Sequence, residues 1–138
     1  MSSPPAISFA AFTAIRLPYS FSGEPAIQKW FIVVGQRAGK MVCLKATSRT
    51  LFYESDPHRM KGCICLEPGE VACFPKKTII ALENDFDIPL SQMQEAANRG
   101  LLSTFAMPAN FGSRLEAAIA NSDVLSEFQK NRLRAILF

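Results

Sequence analysis

The chain has 138 residues, 49% of them hydrophobic and 20% charged, enough for one domain that buries roughly two-thirds of its unfolded surface. Its formal charge of +3 is too small to demand an anionic partner, and it suits nucleic acid only where basic groups cluster. No apolar run approaches the roughly 18–20 residues of a bilayer-spanning helix, and no basic segment precedes an apolar core at the N-terminus, so neither membrane anchor nor signal peptide is expected and the cytoplasm is the default location.

Residues 1–6 (MSSPPA) read as a loose tail. Ile7 to Leu17 alternates imperfectly and predicts a first strand ending at Pro18, with Phe9 and Phe12 in the core. The segment 18–27, PYSFSGEPAI, holds two prolines, a glycine and two serines, which makes it a loop; its length points to function. Trp30 to Val34 and Met41 to Leu44 are apolar runs separated by a polar segment with Gly35 and Gly39 at its ends. Their valines and isoleucines favour a pleated surface over a helix, so the pair is a hairpin covered on both faces, Phe31 included in its core.

Arg49 to Gly62 reads as a second loop. Cys63–Leu66 and Val71–Phe74 read as two short strands, and Pro68-Gly69 between them suits the centre of a type II turn. Thr78–Leu82 (TIIAL) adds another β-branched strand. Ser91 with Gln94 forms the sequence signature of a capping box, and Gly100 that of a C-terminal stop, around a helix of about eight residues. Leu101–Met107 predicts a last strand. Pro108 then opens a helix with Phe111, Leu115, Ala118 and Ile119 on one face. Ser122 or Ser126 caps another, with Leu125, Phe128, Leu133, Ile136 and Leu137 as its apolar side and Arg132 and Arg134 near its C-terminus. Strands followed by helices predict an α+β protein, mainly β: a small SH3-like barrel or compact twisted sheet with two or three C-terminal helices.

Four cysteines (Cys43, Cys63, Cys65, Cys73) do not make a metal signature. The Cys63-Ile64-Cys65 spacing puts both sulfurs on one strand face, whereas structural zinc usually takes two residues between paired ligands and a second pair elsewhere. Buried, reduced thiols are expected, and neither metal nor cofactor.

In the hairpin the polar residues collect at the open ends: Lys29 before the first strand, Thr47 and Ser48 after the second. Antiparallel pairing sets those ends side by side, an ammonium beside two hydroxyls at the rim of a buried sheet. Arg49, His58, Arg59 and Lys61 form a mildly basic cluster in the following loop, with the chain's sole histidine in reach of neutral-pH proton transfer. Trp30 can stack on a base or serve as core.

The order "IRLPYSFSGEPAIQKWFIVV", "MVCLKATS" and "VACFPKKTIIAL" resembles the PemK/MazF family of bacterial toxin endoribonucleases, whose SH3-like barrel is shared with CcdB toxins. The resemblance implies a homodimer that takes single-stranded RNA into a groove between subunits, cuts it without metal by activating the ribose 2′-hydroxyl, and is neutralised by an acidic antitoxin protein. It implies that Lys29 stands for the family's arginine and Thr47 and Ser48 for its hydroxyl pair, as catalytic residues. Arg49, His58, Arg59, Lys61 and Trp30 are then the RNA-binding set, with the loop 18–27 as a wall over the RNA. The chain departs from the pattern in four ways. Lysine lacks arginine's two-pronged fork, Trp30 replaces a proline, Ala72 and Phe74 occupy positions where some members carry an acid–base pair, and the helix-bearing segment 90–121 makes the chain longer than a typical member. The departures favour an alternative, a non-catalytic barrel that binds protein or nucleic acid.

Overall fold

The computed structural model describes residues 11–20, 23 and 25–137. The tail 1–6, Phe9 and the start of the first predicted strand lie outside them, as do residues 21, 22 and 24 of the first loop. Strand accounts for 37% and helix for 32%, so the α+β, mainly-β expectation holds; among the described residues the strands form one six-stranded antiparallel sheet curled into a half-barrel. The strands are β1 (Thr13–Tyr19), β2 (Ile27–Arg37), β3 (Lys40–Thr47), β4 (Cys63–Leu66), β5 (Thr78–Pro89) and β6 (Ser103–Ala106). The helices are α1 (Leu51–Glu54), α2 (Pro57–Lys61), α3 (Leu90–Asn98), α4 (Phe111–Asn121) and α5 (Glu127–Ile136). Across the sheet the order is β4-β5-β3-β2-β1-β6, which puts the β2–β3 hairpin at its centre and leaves two four-residue strands as edges.

Alternation along the hairpin sends its side chains into two cores. Ile32, Val34, Val42, Leu44 and Ala46 face Phe111, Leu115 and Ile119 of α4 and Leu133 of α5. Phe31, Val33, Met41 and Cys43 face Ile88 and Met93, on the side of α3. Both strands are therefore buried on both faces, which is why the sequence shows runs rather than alternation. The β2–β3 register shifts between Val33 and Gly35, and Gly35 forms an isolated bridge to Leu137, just past α5. A Cβ at Gly35 would stand 1.9 Å from the Ile136 carbonyl oxygen, so only glycine permits this approach.

Several expectations need correction. The segment 49–62 is not a plain loop: it holds α1 and α2, the latter started by Asp56, whose carboxylate accepts the His58 N–H at 2.9 Å, with Pro57 in the first turn. Val71–Phe74 is a turn closed by a Phe74 N–H to Val71 carbonyl bond of 2.9 Å, not a strand. The Pro68-Gly69 turn does form, with Gly69 at φ 77° and a Glu70 N–H to Glu67 carbonyl bond of 3.0 Å. β1 runs one residue past Pro18, to Tyr19. Ser91 does not cap α3, which begins behind Pro89 without a side-chain cap. Its C-terminus is as expected, with Gly100 at φ 69° and Leu101 N–H bonded to Ala96 O at 2.8 Å. Ser126 caps α5 in a complete capping box, but Phe128 faces solvent at 77% exposure; Lys130 is buried instead and donates to Ala120 O at 3.2 Å. The four cysteines are free; Cys43 is buried and the other three are half-buried.

Candidate functional site

The rim of the hairpin divides its polar residues between the two faces of the sheet. Lys29 is half-buried opposite Leu17 in the β1–β2 ladder. The β2–β3 ladder ends at Phe31–Lys45, so Lys29 and Thr47 each lie two residues beyond the last pair. Both belong, by alternation, to the face of Phe31. Thr47 pairs with Ile79 of β5, and its Oγ1 accepts the Arg49 N–H at 3.1 Å, which ends the strand in a turn. Ser48 falls on the opposite face, with Ala46 and Trp30.

On that face a cavity of about 120 Å³ opens at the sheet's end, lined by Trp30, Ser48, Cys73, Phe74, Lys76 and Thr78 with Ala46 and Pro75. A water needs only about 10–15 Å³, so the space admits a larger group. Trp30 is half-buried and forms the wall. Its ring lies edge-on to Phe74 at 5.0 Å, tilted against Phe105 at 5.7 Å, and beneath the Arg16 guanidinium at 5.9 Å from the ring centroid. Opposite are the Ser48 hydroxyl, the exposed Lys76, and buried Thr78, whose Oγ1 donates to the Lys76 carbonyl at 3.0 Å. Burial pushes the Cys73 thiol up, so it stays protonated and non-nucleophilic near neutral pH. The cavity thus combines an aromatic wall, the Ser48 hydroxyl and flanking cations. That suits a planar ring carrying negative charge beside it.

The sequence-predicted site residues are only partly brought together. Trp30 and Ser48 line the cavity; Lys29 and Thr47 do not, and neither do Arg49, His58, Arg59 or Lys61. His58 Nδ1 and Lys61 Nζ converge instead on Asp123, at 3.0 and 3.2 Å. These two neighbours hold the Asp123 carboxyl below its ordinary value, the hydrogen bond with His58 first and that with Lys61 next. Arg59 stacks over Phe52, 3.9 Å from the ring centroid, and donates to the Phe52 carbonyl at 2.7 Å. The cations expected to gather phosphate therefore pin α1 and α2 to the body, apart from exposed Arg49. Of the two positions compared with an acid–base pair, Ala72 is exposed and Phe74 is buried against Trp30. Arg16, Phe105 and Lys76 were missed, because only the fold brings their three separate segments beside Trp30; Arg16 alone left a trace, as an exposed cation inside an apolar strand.

For a metal, no three His, Cys, Asp or Glu side chains converge among the described residues. Cys63 and Cys65 share the half-buried face of β4, and burial pushes Cys63 up to about 11, which disfavours the thiolate a metal requires. No helix among the described residues is long and apolar enough to cross a membrane. No family model, no curated protein and no solved structure matches this chain.

Proposed function

We infer that this protein is a cytoplasmic toxin of the PemK/MazF kind, an endoribonuclease that cuts single-stranded RNA as a homodimer and is neutralised by an acidic antitoxin protein. The observation that carries this reading is the end of the hairpin, where Lys29 and Thr47 lie on one face just beyond the last β2–β3 pair and Trp30 with Ser48 lines a cavity on the other. RNA crossing that rim meets an aromatic wall for a base and a cation for phosphate. In the cutting step the 2′-hydroxyl oxygen attacks the neighbouring phosphorus and loses its proton, the bond to the 5′-oxygen breaks, and that oxygen takes up a proton. Lys29 steadies the charge growing on the phosphate oxygens and the Thr47 hydroxyl donates to them, while Ser48, on the opposite face, meets the base beside Trp30.

A second reading, binding without cutting, is favoured by Phe74, which packs against Trp30 at 5.0 Å where a proton-transfer group is wanted. One experiment separates the two: a long single-stranded RNA incubated with protein in excess chelator. Cutting that K29A, T47A and S48A each reduce supports the endoribonuclease. Intact RNA that shifts with the protein supports the binder, and RNA neither cut nor bound removes both.

A further inference from the structure

The cavity wall belongs to a longer strip of the same sheet face. Arg16 is the ladder partner of both Trp30 and Ser103, so those three positions sit side by side across β2, β1 and β6. Phe105 extends the strip on the β6 edge, 41% exposed and 5.7 Å from the Trp30 ring. Lys76 closes it beyond the cavity, next to the start of β5. Adjacent strands are about 4.8 Å apart, so the four intervals from β6 to β5 give a strip roughly 19 Å wide. Outward from Phe105 on β6, the order from β1 to β5 is cation, aromatic, hydroxyl, cation.

The two cations are set apart from many others in the molecule. Arg37, Lys61, Lys77, Arg114, Arg132 and Arg134 each pair with a carboxylate. Arg16 and Lys76, both exposed, pair with none among the described residues. A ligand that brings its own negative charge on both sides of a flat ring satisfies this arrangement. In a duplex the rings are stacked away, whereas a single strand offers them.

Resting on the reading of RNA as the ligand, we propose that this strip is a nucleotide subsite: one unstacked base of a single strand lies against Trp30 in the cavity, and the phosphates before and after it meet Arg16 and Lys76. Ser48 and Thr78 face the edge of that base. The footprint is short, near the lower end of the roughly 4–16 nucleotides spanned by comparable single-strand binders.

Trp30 is the chain's sole tryptophan, so its emission reports this contact alone. The probe is an end-labelled 2′-O-methyl oligonucleotide of about eight residues, long enough for such a footprint and unable to be cut. It is titrated while anisotropy and indole emission are followed. The expected result is quenching that tracks binding. W30L then weakens binding on the order of 5- to 150-fold with an unchanged salt slope, whereas W30F, which keeps a stacking ring, retains most of it. R16Q/K76Q, at two exposed positions, lowers the slope of log K against log salt by about 1.4, since each lost phosphate contact on a single strand removes about 0.7. Absence of binding, binding without quenching, or W30L equal to wild type overturns the subsite. The two proposals fail separately: quenching with no RNA cleavage keeps the subsite and removes the nuclease, and cleavage with an unperturbed indole does the reverse.

Discussion

Gly35→Ala tests how the hairpin is locked to the C-terminal helix. The added methyl carbon would lie 1.9 Å from Ile136 O and 2.8 Å from Ile136 C, and these are backbone atoms that no rotamer change removes. Either the hairpin or the end of α5 must move. Overpacking of this kind costs typically 1–3 kcal/mol. If instead the helix end lifts, half-buried Ile136 and Leu137 lose part of the 1.5–3 kcal/mol that full burial of each side chain contributes, again about 2 kcal/mol in total. An unfolding entropy near 2.1 cal/mol/K per residue makes each kcal/mol worth roughly 3–4 °C for a chain of this length, so G35A should melt about 7 °C below wild type. Gly39→Ala is the control: its Cβ would meet nothing within 4 Å, but its φ is +75°, so the cost is the left-handed backbone alone, about 1 kcal/mol. Thermal unfolding followed by circular dichroism measures both. G35A melting within about 2 °C of wild type would refute the close approach of β2 and α5.

Three more outcomes are expected. Glu54, held down by Lys77 then Thr50, Glu70, held down by the Glu67 N–H then Arg114, and Asp123, held down by His58 then Lys61, all have folded values below their ordinary ones. Their contribution is present above the ordinary carboxylate range and is lost as pH falls through the depressed values; the melting temperature should therefore be level from pH 8 to about 5 and decline below about 4, with a shallower decline in D123N. Burial pushes Cys43 up to about 12 and Cys63 up to about 11, so iodoacetamide at pH 8 should leave both unmodified in the native protein, as mass spectrometry would read; rapid labelling of Cys43 contradicts its placement. Phe128→Ser should change stability by less than about 0.5 kcal/mol, because the ring is 77% exposed, whereas Leu133→Ala, at a site 5% exposed, should cost about 2–5 kcal/mol in a denaturant titration.

What the sequence made legible was whatever local pattern decides. The hairpin declared itself because strands covered on both faces must be apolar throughout, and α4 because Phe111, Leu115, Ala118 and Ile119 can share a face only on a helix. Two misreadings were avoidable. Asp56-Pro57 is a helix start by capping chemistry. Val71 and Phe74 are buried with exposed Ala72 between them, a spacing of three that fits a turn better than a strand. Phe128 misled because hydrophobicity alone does not assign a face; the buried side of α5 runs through Lys130 and Leu133, and a lysine stem packs like an aliphatic chain. The candidate site was only partly legible. A cavity does open at the end of the hairpin, but alternation sends Ser48 and Thr47 to opposite faces, and the turn at 71–76 that completes the cavity reaches the hairpin only through the tertiary fold.

The most direct test of RNA chemistry at the hairpin rim is cleavage of one long single-stranded RNA in excess chelator by wild type, K29A, T47A and S48A prepared identically. Discrete fragments from wild type, strongly diminished in all three variants while their melting temperatures stay unchanged, are the predicted result. The same fragments at the same rate from every protein, or RNA left intact and unbound by wild type, would contradict it.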